Sequence, residues 1–222
     1  MEINQSHSQT AYSVIFDLII SGEIAPDTAI STRSLSDRTG IGRTPIREAL
    51  QALARDGMID IVPTRGTFVH EPNFDEVREI YEVRVALEGM AAFLVAQRGV
   101  GEDLNRIGDE LKALKEARAP DREAVRKKGW EFHDQLMIAT GNAQLRQLYT
   151  QISRKFSLIL RQGRKYSDER VLETLDEHIE MFDVLKSGDA VRAQTMMQEH
   201  IQRAFSARIQ AISASPMLTG IR

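Results

Sequence analysis

Gly40-Ile41-Gly42-Arg43-Thr44-Pro45-Ile46-Arg47-Glu48-Ala49-Leu50 is the stretch on which the reading of this chain turns. Gly40 and Gly42 flank Ile41 and permit an abrupt change of direction. Thr44 is suited to cap a helix, and Pro45 to its first turn, where a missing N–H costs nothing. Arg47 stands one turn beyond Arg43, near the positively polarised start of the helix. Ile46, Leu50 and Leu53 fall on another face and bury it. The pattern predicts a helix that packs by one side and offers guanidinium forks by the other, as a recognition helix does in a DNA major groove. A solvated basic face on an ordinary amphipathic helix uses the same residues, so the flanking elements decide.

Those elements are ordered. Ala11, Val14, Ile15, Leu18 and Ile19 have helical spacing over about residues 9–21, and Gly22 ends that helix. Ser31 or Thr32 can cap a second short helix through about Thr39, with Leu35 inward. The recognition helix runs from about Pro45 to Arg55, closed by Asp56-Gly57. Met58 to Val62 reads as a strand, Pro63-Thr64-Arg65-Gly66 as a turn and Thr67-Phe68-Val69 as the return strand. Three helices and a β-hairpin over residues 1–70 predict a winged helix-turn-helix. Gly66 lets the wing tip approach a phosphate backbone, and Arg65 places a cation there. Residues 71–74 read as a linker. Beyond it the pattern is helical throughout: roughly 75–98, 102–117, 121–140, 143–162, 168–187 and 190–213. The fold class is mainly α, with an antiparallel helical bundle over 75–213 and a tail over 214–222.

Charge narrows this reading. The net charge is −3, and residues 1–70 hold six arginines and no lysine against eight acidic residues. Any DNA-binding surface must come from clustering, and Arg33, Arg38, Arg43 and Arg47 supply it with only Asp37 opposing them in that interval. Phosphate contact needs such a local patch, because screening removes charge effects beyond about 8–10 Å. So small a patch predicts weak binding by one chain and strong binding by a dimer. Hydrophobic residues make up 42% of the chain, enough for a packed core. There is no cysteine, which excludes disulfides and thiolate metal sites. No apolar run is long enough to span a membrane, and Met1 to Thr10 has no signal pattern. These features predict a soluble, cytoplasmic protein.

Three of the five histidines share a property. His133, His178 and His200 each lie on the apolar stripe of their own helix. His133 stands with Phe132, Leu136 and Met137, His178 with Leu175 and Phe182, and His200 with Met196 and Met197. One histidine on such a stripe is most often a satisfied core residue. Imidazoles converging from three helices of a bundle instead make a site for a borderline divalent cation, Zn²⁺ or Ni²⁺. A metal-free pocket in which the histidines hydrogen-bond a ligand directly is the other arrangement. Three histidines also recur in hydrolytic zinc sites, with Glu177 as a possible general base; that metal-dependent hydrolase reading leaves the front third of the chain without a purpose.

The chain resembles the GntR family of bacterial transcription regulators, in the FadR-like group that carries an FCD ligand-binding domain. The N-terminal likeness rests on Gly42 to Leu50, Leu53, Asp56-Gly57-Met58 and Arg65 to Val69. The C-terminal likeness rests on Tyr81 to Glu88, Phe132-His133, Gly141-Asn142, Glu177-His178, Gly188-Asp189 and His200-Ile201. The resemblance implies that Arg33, Arg43 and Arg47 face DNA, with Thr44 and Gly66 near the phosphates. It implies a short palindromic double-stranded operator, a homodimer and a repressor controlled by a small carboxylate effector. It makes His133, His178 and His200 metal ligands, and it suggests that Arg84 and Arg161 reach the effector. By composition alone Arg84 would form a surface salt bridge with Glu88. Two positions depart from the family: Gly42 replaces a small hydroxyl residue, and Gly129 replaces the acidic ligand expected one turn before His133.

Overall fold

The computed structural model describes residues 2–161 and 166–213. These form α1 (Glu2–Ile20), α2 (Thr32–Thr39), α3 (Arg43–Arg55), β1 (Ile59–Val62), β2 (Gly66–Val69), α4 (Phe74–Arg98), α5 (Glu102–Glu116), α6 (Arg122–Ala139), α7 (Ala143–Arg161), α8 (Asp168–Ser187) and α9 (Ala190–Ser213). The fold is mainly α, a winged helix-turn-helix followed by a helical bundle. The expected tail over 214–222 and most of the break after α7 lie outside the described residues.

The chain divides into two compact units. The first comprises residues 1–77 together with 153–162; the second comprises 78–152 and 163–222. Sequence periodicity had placed all of α7 in the bundle. The last turns of α7 instead belong to the first unit, because Leu158 is buried among Ile15, Ile19, Leu50 and Met58.

The first unit is built on the apolar stripe of α1. Ala11, Ile15 and Ile19 are fully buried against Ile46, Ala49 and Leu53 of α3. Ser31 caps α2, its Oγ accepting from the Ser34 N–H. Gly40 ends α2 in the left-handed conformation, at φ 71°, and returns its N–H to the Ser36 carbonyl, a close that glycine makes without strain. The cap of α3 differs from the expected one. The helix starts at Arg43, its N-cap is Gly42, and no side chain caps it. Thr44 is already inside the first turn and cannot serve as the cap.

The hairpin pairs Ile59 with Val69 and Val62 with Gly66. Ile30 adds a bridge to Thr67, its N–H donating to the Thr67 carbonyl at 2.7 Å. Below it, the Asp56 carboxylate at the C-cap of α3 accepts from the Tyr12 hydroxyl at 2.5 Å and from Arg154 at 2.7 Å. Burial, followed by that Asp56 carboxylate, pushes the Tyr12 hydroxyl pKa well up.

In the second unit α8 packs against α5, α6 and α9. The tightest approach is at Gly108 of α5, where a Cβ would stand 2.3 Å from Phe182 Cε1 of α8. Glycine is therefore required there for closeness rather than for backbone angle. No helix among the described residues is long and apolar enough to cross a membrane. Gly108→Ala must push Phe182 out of its place; it is expected to destabilise the chain by about 1–3 kcal/mol, measurable as a lowered midpoint in urea denaturation.

Candidate functional site

Two surfaces carry chemistry, one in each unit. On the first, Arg33, Arg43, Thr44, Arg47 and Arg65 are all exposed, as is Gly66 at the wing tip. The opposite side of α3 is closed by Ile46, Ala49, Leu50 and Leu53, so the division into a packing face and an offering face holds residue by residue. Arg33 lies 3.8 Å from Asp37, and Arg38 is paired with Glu23. Arg43, Arg47 and Arg65 form no ion pair among the described residues. Arg38 thus contributes less free charge than its place in the sequence promised, because a carboxylate from the α1–α2 turn reaches it.

Gly66 has φ 123°, a conformation open to glycine and strained for other residues. Thr64 beside it takes φ 65°, a costly angle for a β-branched residue. The α3 N-terminus, with no side-chain cap, leaves its first N–H groups directed outward for an anion.

The second surface is internal. His133 of α6, His178 of α8 and His200 of α9 are all buried, and their ligand nitrogens lie within 4.8 Å of one another. His133 Nε2 stands 3.1 Å from His178 Nε2 and 3.3 Å from His200 Nε2. The outer nitrogens are held by carboxylates. His200 Nδ1 is 2.6 Å from Glu177 Oε2, and His133 Nδ1 is 2.5 Å from Glu88 Oε2. Glu88 is itself fully buried and accepts from Arg84 Nε at 2.6 Å. Glu177 accepts from Arg170 at 2.9 Å and from Arg203 at 2.8 Å.

The protonation states follow from these partners. Burial would raise Glu88, but the Arg84 guanidinium and His133 overcome it and hold the carboxyl at about 2. Burial would likewise raise Glu177, yet His200 and Arg170 bring it well below the usual carboxylate range. Both groups are therefore ionised, and His200 Nδ1, which meets Glu177 in a hydrogen bond, carries hydrogen; His133 Nδ1 meets Glu88 Oε2 at ion-pair distance without hydrogen-bond geometry. Burial pushes His200 down to about 4, with Glu177 opposing the shift. Burial followed by the neighbouring His200 and His133 lowers His178 as well.

A neutral His200 with its hydrogen on Nδ1 presents a bare Nε2 lone pair to the centre, 3.3 Å from the corresponding atom of His133. Such atoms repel unless a cation lies between them. Zn–N bonds of about 2.0–2.1 Å separate neighbouring ligand nitrogens by about 3.3 Å at the tetrahedral angle. The donor set thus fits a borderline divalent ion, with carboxylates on the outer nitrogens fixing the tautomers.

The structure brings His133, His178 and His200 together as the stripe argument expects. The other residues are placed by their own contacts. The Arg84–Glu88 pair is buried rather than at the surface, and its carboxylate end supports His133. Arg161 belongs to the first unit, where its Nη2 donates to the Ile24 carbonyl at 2.7 Å. Glu177 is engaged by three cationic or N–H partners and is unavailable as a general base. Glu131 is turned to Lys128 at 2.6 Å.

Sequence reasoning missed Glu88 as a supporting carboxylate. The signal was present: Glu88 lies on the buried stripe of Tyr81, Ala91, Ala92 and Val95, where a lone carboxylate needs an internal partner.

Comparison with known proteins identifies both halves of the chain. The family model for bacterial regulatory proteins of the gntR family matches residues 7–69, and that for the FCD domain matches residues 79–203. The HTH-type transcriptional regulator LutR of Bacillus subtilis is 28% identical over 204 residues, covering 83% of this chain and 93% of LutR. The HTH-type transcriptional repressor GlaR of Escherichia coli is 24% identical, covering 82% of this chain and 87% of GlaR. Among solved structures, E. coli McbR/YncC shares the fold with a TM-score of 0.76 at 20% identity, over 92% of this chain and 97% of that one.

Glu88→Gln keeps the shape but removes the charge that orients His133. It is expected to weaken Zn²⁺ binding by about tenfold to a hundredfold, read by competition with a chromophoric chelator.

Proposed function

We propose, for a chain that belongs to the GntR family of bacterial regulatory proteins and carries an FCD domain, that a metal and a small carboxylate together control operator binding. Its relatives are transcription regulators, not enzymes. The hydrolase reading therefore falls, and the engaged state of Glu177 removes its chemical basis.

The observation that carries the proposal is the convergence of three Nε2 atoms backed by ionised carboxylates. His133, His178 and His200 would hold Zn²⁺ or Ni²⁺, and the ion would supply a positive centre for an anionic effector. Arg84 contributes by fixing Glu88 and hence the first histidine. The name of GlaR supports a repressor, working in the cytoplasm where the DNA is. Effector acts by binding one arrangement of the protein better than another, since equal affinity shifts nothing.

At the DNA, Arg47 and Arg43 read base edges or phosphates from α3. Arg33, Thr44 and Gly66 contact the backbone, and Arg65 reaches it from the wing. The net charge of −3 gives little general attraction, so a homodimer on a short inverted repeat is needed to double these contacts.

Electrophoretic mobility shift on the promoter beside the chain's own gene tests the proposal directly; no shift at low salt would overturn it. Arg47→Ala is expected to weaken specific binding by about tenfold to a hundredfold, the weight of one bidentate base contact, while the helical unit stays folded. Arg65→Ala should weaken binding to all sequences alike and reduce the salt slope by about one. His178→Ala should lower metal content, by elemental analysis, with operator binding retained.

A further inference from the structure

A groove of about 800 Å³ lies within the first unit, walled by α1 and α3. Its volume is that of a small-ligand site. Tyr12 and Phe16 enter it from successive turns of α1, and Glu48 and Asp56 stand two turns apart on α3.

One end of the groove already holds a cation from the chain itself. The Arg154 Cζ atom lies 5.0 Å from the centre of the Tyr12 ring, and its Nη1 donates to Asp56 Oδ2 at 2.7 Å. The Tyr12 hydroxyl donates to the same carboxylate. A ring face and a carboxylate together hold one guanidinium there. The same pair of elements recurs one turn on. The Phe16 ring lies 6.4 Å from that of Tyr12 and within 11° of parallel to it. Asp17 and Glu48 supply the carboxylates. Both are exposed, and neither forms an ion pair among the described residues.

Three carboxylates against one guanidinium leave the groove with two negative charges in excess, which repel phosphate and attract cations. A bare metal ion does not suit this arrangement. Among the described residues the one group of converging metal donors is His133, His178 and His200.

From this repetition we infer that the groove binds a linear organic dication with a guanidinium at one end, the class to which agmatine belongs. The guanidinium lies over Phe16 and hydrogen-bonds a carboxylate, as Arg154 does at Tyr12. A planar guanidinium stacks and donates in its own plane at once, which a compact ammonium does not. The methylenes cover the apolar floor at Ala52, and the second charge meets the remaining carboxylate. The metal reading does not enter, so failure here leaves that reading untouched.

Isothermal titration calorimetry on the full-length chain, at one low ionic strength, tests the inference with three probes. Agmatine carries both features, putrescine replaces its guanidinium by an ammonium, and butylguanidine lacks the second charge. Agmatine is expected to bind about threefold or more tighter than either. The double variant Asp17→Asn, Glu48→Gln is expected to lose about threefold to thirtyfold, the weight of two exposed ion pairs. Phe16→Leu, which keeps an apolar side chain without the ring, should lose about twofold to fivefold. Absence of agmatine binding by the wild-type chain, agmatine binding no tighter than either of the other probes, or undiminished affinity in the double variant would overturn the inference. Asp17 and Glu48 are exposed, so an unchanged melting temperature is expected for the double variant. Should it not fold, the comparison of the three probes on the wild-type chain decides alone.

Discussion

The helical unit depends on one electrostatic constraint: buried imidazole nitrogens must face each other across about 3 Å without repelling. His133 and His200 are held in that attitude from behind by Glu88 and Glu177. Those carboxylates stay ionised against burial because Arg84 and His133 act on Glu88, and His200 and Arg170 on Glu177. The chain of dependence runs from an arginine through a carboxylate and a ring to an empty-handed lone pair. Each link is costly by itself, since a buried charge or unmatched polar atom is expensive. Together they hold the lone pairs toward one another, an arrangement that the proposed cation would relieve.

The surface proposed to meet DNA is governed by the opposite choice. There the chain leaves groups unsatisfied rather than matched. The α3 N-terminus has no side-chain cap, Arg43 and Arg47 stand in water, and Thr64 holds an uncommon backbone angle beside Gly66. A sequence selected for stability alone would cap the helix and relax the turn. Local rules are broken where function is located and kept elsewhere: the face of α3 that packs on α1 is fully buried and regular.

The elements were legible because their signals are local. Gly40, Gly57 and Gly188 punctuate helices, and apolar spacing sets their faces. The three histidines were legible for the same reason, each lying on a stripe that had to turn inward. What stayed hidden is what depends on pairs distant in the chain. Nothing near Arg161 in sequence announces the Ile24 carbonyl, and nothing near Leu158 announces a place in the first unit's core. The setting of Gly129 was half visible: the absent carboxylate could be read, but the ring of His178, which a Cβ there would meet at 2.8 Å, belongs to another helix. Glu88 was misplaced because an i,i+4 partner is usually a surface feature, and only its stripe pointed inward.

The linkage between metal and stability follows from the same constraint. Any ion that binds the folded centre and not the unfolded chain stabilises it, by about 2.7 kcal/mol at a hundredfold excess over its dissociation constant. On the proposed function, an oxyanion that binds the ion strengthens metal binding, and by reciprocity the metal strengthens binding of the oxyanion. With coupling typically about 1–3 kcal/mol, neither partner alone need saturate the site for the pair to do so. On the proposed function the centre therefore responds to two concentrations together, that of the ion and that of the carboxylate.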